Sequence, residues 1–230
     1  MCSKTITKPE AVLFDLDGTV LDTAKDLGEA LNHVLESLNM APKSYDEYRP
    51  VASHGALGLL KLGLAEKFND FEIEPLRLKL LDYYMDNISR HTCLFEGMDD
   101  CISQLDSLNI PWAIVTNKPA FLTDKLVTYH PQLASSKINV SGDTLPLRKP
   151  NPEPLWHACE YMQVNSELCW YVGDAQRDIE AGNRAGMRSI VANWGYTQDK
   201  TPVEQWQADH IVQSANDLKQ MILRGVYPAD

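Results

Sequence analysis

The stretch AVLFDLDGT, residues 11–19, governs the reading of the rest of the chain. The apolar run Ala11 to Phe14 has the length of a buried strand, and two carboxylates, Asp15 and Asp17, stand one residue apart where it stops. Ionised carboxylates at the edge of such an element are costly to desolvate, so a compensating cation is expected there. A calcium loop starting at Asp15 would need Gly at its sixth position and Glu at its twelfth; these are Val20 and Asp26, and that reading fails. Two readings stay open. In one, Gly18 bends the chain and Asp17 satisfies backbone amides. In the other, one carboxylate is a nucleophile toward a phosphoryl group and the second an acid and base, with a hard cation such as Mg²⁺ offsetting the negative charge.

Working outward, apolar residues at helical spacing follow in TAKDLGEALNHVLESLNM, then from Ala56 to Lys67 and from Pro75 to Ile88, with no good strand between them. From about Leu94 the pattern alternates. A helix through MDDCISQLDSL precedes a strand in PWAIVTN, a helix from Pro119, a short strand in KINVSG and a helix through EPLWHACEYM. Next come a strand in CWYVGD, a helix in QRDIEAGNRAG, a strand in RSIVAN, a short segment HIVQ and a closing helix to about Leu223. Alternation of this kind predicts an α/β fold, a Rossmann-like parallel sheet with helices on both faces. The expected organisation is a core of residues 1–22 and 93–230, with a helical cap of residues 23–92 inserted after the first strand.

Open α/β sheets hold ligands beyond the carboxyl ends of their strands. The strands in AVLF, WAIV and WYVG stop on Asp15 and Asp17, on Thr116 and Asn117, and on Asp174. Thr116 and Asn117 can cap the next helix or offer a hydroxyl and an amide to a phosphoryl oxygen. Asp174 and Asp178, one helical turn apart in VGDAQRD, can be an N-cap with a first-turn acid, or Asp174 can complete the carboxylate set. Lys149 lies in LRKPNPEPL, where Pro150, Pro152 and Pro154 stiffen the backbone; it is either a surface lysine or the cation that holds phosphoryl oxygens.

The formal charge of −11 argues against nucleic acid or an anionic membrane as the main partner. The N-terminal stretch MCSKTITKPE has no apolar signal region and no stretch has the length of a membrane span, so a cytoplasmic protein is expected. The five cysteines, Cys2, Cys93, Cys101, Cys159 and Cys169, are scattered without a CxxC pair and read as reduced thiols. Trp156, Trp170 and Trp194 read as packing residues, and no glycine-rich nucleotide loop is present.

DLDGT, VTN, RKPNPEP and VGDAQRD, in this chain order, resemble the four motifs of the haloacid dehalogenase superfamily, and the helical insertion resembles its C1 cap. RPVASHGA, LFEGM, VTNKP and KPNPEPL carry a closer likeness to its phosphoglycolate-phosphatase group, which includes a branch acting on N-acetylmuramic acid 6-phosphate. The resemblance implies that Asp15 is the nucleophile and Asp17 the general acid/base, with Thr116, Asn117 and Lys149 at the phosphoryl group. It also implies that Mg²⁺ is held by Asp15, the backbone carbonyl of Asp17 and Asp174, with Asp178 close behind. Presence of Asp17 sets the chain apart from the superfamily's dehalogenases, which lack that acid, and its phosphonate hydrolases, which carry a small residue there.

Discrimination among phosphomonoesters is expected from the cap, in YRPVASHGALG, where Arg49, Ser53 and His54 are the polar candidates. Arg49 can pair with a substrate carboxylate or be an exposed arginine. The expected activity is Mg²⁺-dependent hydrolysis of a small acidic phosphomonoester by a monomer or homodimer, with phosphoglycolate first and N-acetylmuramic acid 6-phosphate next. A phosphomutase that transfers the phosphoryl group shares the two aspartates and is the rival enzyme class. A non-catalytic binding module would be expected to lack Asp15 or Asp17.

Overall fold

The computed structural model describes residues 7–197 and 201–226; Cys2 and the start of the N-terminal stretch, residues 1–6, lie outside the described residues. Chain order runs β1 (Val12–Phe14), β2 (Leu21–Asp22), α1 (Ala24–Ser37), α2 (Tyr45–Tyr48), α3 (Gly55–Leu64), α4 (Ile73–Asp86) and β3 (Cys93–Leu94). It continues with α5 (Met98–Ser107), β4 (Trp112–Val115), α6 (Ala120–Thr128), β5 (Asn139–Val140), α7 (Glu153–Met162) and β6 (Trp170–Gly173). The chain then forms α8 (Gln176–Arg184), β7 (Arg188–Ala192), β8 (His210–Val212) and α9 (Ala215–Val226).

Six strands form one parallel sheet in the order β5-β4-β1-β6-β7-β8. Strand β1 is central, with Val12 level with Trp112 on one side and Trp170 on the other. Its residues alternate between faces as the pleat requires. Val12 and Phe14 pack into a cluster with Trp112, Ile114 and Trp170, whereas Leu13 joins Ala113, Val115, Tyr171 and the α7 residues Leu155 and Ala158. Both faces are therefore covered, which is why AVLF is apolar at every position.

The cap follows β2. Helix α1 packs against α3 and α4, and Leu31, Leu60, Leu80 and Tyr84 are continuous with the apolar cluster on one face of the sheet. The helical pattern from Ala56 to Lys67 is interrupted in the structure. Helix α3 ends at Leu64, Ala65 has φ 50°, and a 3₁₀ turn spans Ala65–Asp70. The stretch YRPVASHGALG contains another 3₁₀ turn, Arg49–His54, leading into α3. The antiparallel pair β2 and β3, Leu21 opposite Leu94 and Asp22 opposite Cys93, joins the two chain segments that enter and leave the cap. Two-residue strands carry too few residues for a period, so the sequence pattern does not display them. Among the described residues no helix is long and apolar enough to cross a membrane.

Candidate active site

The carboxyl ends of β1, β4 and β6 lie side by side, and the residues that follow them meet around Lys149. The backbone N–H of Asp15 donates to Val172 O at 2.9 Å and that of Thr116 to Val140 O at 2.8 Å, so both residues continue the ladder before the chain turns. Lys149 Nζ lies 2.9 Å from Asp15 Oδ1 and 2.7 Å from Asp178 Oδ1. It also donates to Val115 O at 2.9 Å and Tyr171 Oη at 2.8 Å, and its side chain is buried. This is the cation that the apolar context of FDLDGT demands. Burial works to raise the Asp15 carboxyl, but the Lys149 ammonium and Arg177 guanidinium prevail and hold it below the ordinary aspartate range.

Asp174 has a different environment. Its carboxylate accepts from Thr19 Oγ1 at 3.2 Å, Ser53 Oγ at 2.8 Å and the Tyr196 backbone N–H at 2.9 Å, all neutral donors. Burial, with the Asp15 and Asp178 carboxylates adding to it, pushes its carboxyl up to about 7. The turn after β1 approaches so closely that a Cβ on Gly18, at φ +88°, would stand 2.2 Å from Asp174 Oδ2. Oxygens of Asp15, Asp174 and Asp178 lie within 4.8 Å of one another, and all three residues are buried. Closely spaced buried oxygens from three carboxylates fit a hard divalent cation.

Asp17 Oδ1 accepts from Thr23 Oγ1 at 2.7 Å and from Lys118 Nζ at 2.9 Å. The Lys118 ammonium also donates to Tyr84 Oη at 3.0 Å and lies 4.5 Å from the centre of the Tyr84 ring. Asp178 Oδ2 accepts from the Ala175 backbone N–H at 3.0 Å, as a helix-start acid does, while its other oxygen serves Lys149.

One cavity of about 530 Å³ between the sheet edge and the cap brings together Asp15, Asp17, Thr116, Asn117, Lys149 and His54. Thr116 is buried there, and its Oγ1 accepts from the Lys118 backbone N–H at 3.2 Å. Asn117 Nδ2 donates to Lys149 O at 2.9 Å, whereas its buried Oδ1 accepts from no group among the described residues. Asp174 and Asp178 stand behind this lining. Arg49 is placed elsewhere: its guanidinium donates to Gly195 O at 3.2 Å and Trp194 O at 3.1 Å, over the Tyr196 ring, and ties cap to core. The sequence pattern alone does not mark Lys118, Arg177, Thr19, Tyr84 or Tyr196. Lys118 and Arg177 fall inside VTNKP and VGDAQRD, where adjacency was their signal; Tyr84 and Tyr196 come from distant segments and carried none.

The model of the haloacid dehalogenase-like hydrolases matches residues 12–192. A phosphoglycolate phosphatase of Xylella fastidiosa is 37% identical over 210 residues, 91% of each chain. An N-acetylmuramic acid 6-phosphate phosphatase of Pseudomonas putida is 32% identical over 212 residues, 92% of this chain and 95% of that one. The crystal structure of a predicted phosphoglycolate phosphatase from Haemophilus somnus has the same fold, with a TM-score of 0.83 and 24% identity over 94% of this chain and 99% of that chain. With the family match running from the first sheet strand to the last residue of β7, and relatives alike over about nine-tenths of both lengths, the chain belongs to the haloacid dehalogenase-like hydrolases.

Proposed function

We propose that the protein is a phosphatase that hydrolyses a small acidic phosphomonoester through an aspartyl-phosphate on Asp15, with 2-phosphoglycolate the first candidate. The observation that carries this reading is the pair of aspartates lining one cavity, each with Oδ1 held by donors and Oδ2 without a hydrogen-bond donor among the described residues. The relatives named for phosphoglycolate phosphatase activity support the substrate class.

The Asp15 carboxylate attacks phosphorus, and the ester P–O bond breaks as Asp17 Oδ2 gives its proton to the leaving oxygen. In the second step a water attacks the aspartyl-phosphate, Asp17 takes its proton, and the Asp15 carboxylate is regenerated with release of inorganic phosphate. Lys149 holds Asp15 in place, while the Thr116 hydroxyl and the Asn117 side-chain N–H not taken by Lys149 O are the proposed donors to phosphoryl oxygens. Asp15, Asp174 and the backbone carbonyl of Asp17 are the proposed ligands of Mg²⁺, with Asp178 beside them. The ion would offset repulsion between the carboxylates and the phosphoryl oxygens. The thiols Cys93, Cys101, Cys159 and Cys169 are free, which suits a reducing cytoplasm.

A second substrate, N-acetylmuramic acid 6-phosphate, is favoured by the cavity itself. The cavity, about 530 Å³ including the part beside Asp15 and Thr116, leaves room on its cap side for a leaving group larger than glycolate. Its wall combines the exposed Arg148 with Leu57, Leu81 and Leu122, a surface for a leaving group that has both an acidic and an apolar part. Phosphate release with Mg²⁺ from the two esters, side by side with Asp15→Asn as blank, decides between them. A preference of about a hundredfold in kcat/KM would name the substrate. Release that requires a sugar bisphosphate primer would replace hydrolysis by phosphoryl transfer.

A further inference from the structure

Lys118 lines the cavity, and its ammonium donates to Asp17 Oδ1 at 2.9 Å and to Tyr84 Oη at 3.0 Å. Its side chain is 5% exposed, and the Tyr84 side chain, on cap helix α4, is fully buried. Taking an ammonium out of water is expensive, and apolar residues of similar size commonly replace buried ion pairs without loss of stability. Packing alone is therefore a weak account of a lysine at this position. Its partner is the aspartate nearest in sequence to the proposed nucleophile, and its second contact reaches across to the cap.

The geometry on Asp17 gives this contact a chemical consequence. A carboxylate on a turn can rotate about its two side-chain torsions, so either oxygen can face the substrate. Thr23 Oγ1 and Lys118 Nζ converge on one of them, Oδ1, at 2.7 Å and 2.9 Å, and this leaves Oδ2 as the oxygen available for proton transfer. Thr23 stands at the entry to the cap, and Tyr84 lies near the end of its last helix. Both anchors of the acid thus belong to the cap side, one directly and one through Lys118.

We propose that Lys118, itself oriented by Tyr84, is a positioning residue that fixes Asp17 with Oδ2 toward the leaving-group oxygen, so that proton delivery depends on the docking of α4 against the loop after β4. The inference rests on Asp17 being the acid/base of the proposed phosphatase. In the first step the Oδ2–H bond breaks and its proton goes to the ester oxygen, which keeps the electron pair of the broken P–O bond. Lys118 transfers no proton and touches no phosphoryl oxygen. This separates it from Lys149, whose contacts are with Asp15 and Asp178.

The test compares two aromatic esters that differ in their need for a proton: benzyl phosphate, whose alkoxide is a poor leaving group, and p-nitrophenyl phosphate, whose phenolate leaves unaided. Values of kcat/KM report only the steps up to departure of the leaving group, so the later attack of water does not enter. Lys118→Met should lower kcat/KM for benzyl phosphate about a hundredfold. For p-nitrophenyl phosphate the loss should stay below about threefold, with a burst of nitrophenolate before slow turnover. Tyr84→Phe keeps the ring and should show the same pattern at about fivefold on benzyl phosphate.

Equal losses on the two esters in either variant, or no loss on either ester, would overturn the inference. Tyr84→Phe decides the matter alone if Lys118→Met fails to fold. Asp17→Asn is the reference. If it shows the leaving-group difference and Lys118→Met does not, only the positioning role falls. If Asp17→Asn affects both esters equally, or the wild-type protein with Mg²⁺ hydrolyses neither, the acid/base or phosphatase reading has failed and this inference falls with it.

Discussion

At the scale of single residues, Lys149 lies between two buried carboxylates, Asp15 and Asp178. Deleting one member of a buried ion pair typically costs about 3–5 kcal/mol, and without Lys149 the Asp15 and Asp178 carboxylates keep only the more distant charge of Arg177. Lys149→Met is expected to lose activity and also to unfold at lower urea, with a destabilisation of that order. Asp15→Asn keeps the volume and leaves Lys149 paired with Asp178, so it should abolish phosphate release while circular dichroism stays that of a folded protein. A folded Asp15→Asn protein with substantial turnover would remove Asp15 as nucleophile. Gly18→Ala tests the neighbouring contact, because the added Cβ meets the Asp174 carboxylate and the backbone there has φ +88°. Weaker binding of Mg²⁺ by calorimetry is the expected result, and unchanged affinity would take Asp174 out of the ion's reach.

At the scale of elements, the two crossings into the cap are the parts that hold the lid in register. Strands β2 and β3 pair over only two residues, too few to define an orientation by themselves. The buried Asp26, in the first turn of α1, adds what the short strands lack. Its carboxylate accepts from the backbone N–H groups of His91 and Thr92 and from Thr92 Oγ1, at 2.7 to 3.1 Å. Each of these donors would be stranded by truncation of the acid, so Asp26→Ala should destabilise the protein by about 1–3 kcal/mol in urea unfolding. Hydrogen exchange at His91 and Thr92 should accelerate in the same variant. Exchange that stays at the wild-type rate would show that the strand pair suffices without Asp26.

For the whole molecule the cluster of acids sets how stability follows pH. Asp174 has a native value of about 7, against about 3.9 in an unfolded chain. Between these values the native state binds more protons than the unfolded state, so the contribution of Asp174 to stability declines as pH rises from about 4 to about 7 and then levels off. Asp178, raised by burial against the pull of Lys149, acts in the same direction, and Asp15, held low, acts only in acid below this window. An ion bound to the ionised cluster removes the penalty. The difference in melting temperature between Mg²⁺-loaded and EDTA-treated protein should therefore widen between about pH 5 and about pH 7 and stay constant above that. A difference that narrows over this range would contradict an ion on Asp174.

The sequence by itself determined the order of strands and helices, the parallel sheet, the helical insertion and the position of Asp15, Asp17, Thr116 and Asp174 at strand ends. Buried parallel strands are unbroken apolar runs, and the residue that ends each run is fixed by the chain. The short hinge strands and the break at Ala65 escaped that reading because neither changes the period of its surroundings. Only the tertiary structure decided which cation serves which carboxylate. It assigned Lys149 to Asp15 and Asp178, Lys118 to Asp17, and Arg49 to the carbonyls of Trp194 and Gly195. These partners lie far apart along the chain and are joined by the pairing of neighbouring sheet strands and, for Arg49, by packing of the cap on the core, and a contact made that way leaves no periodic trace in the sequence.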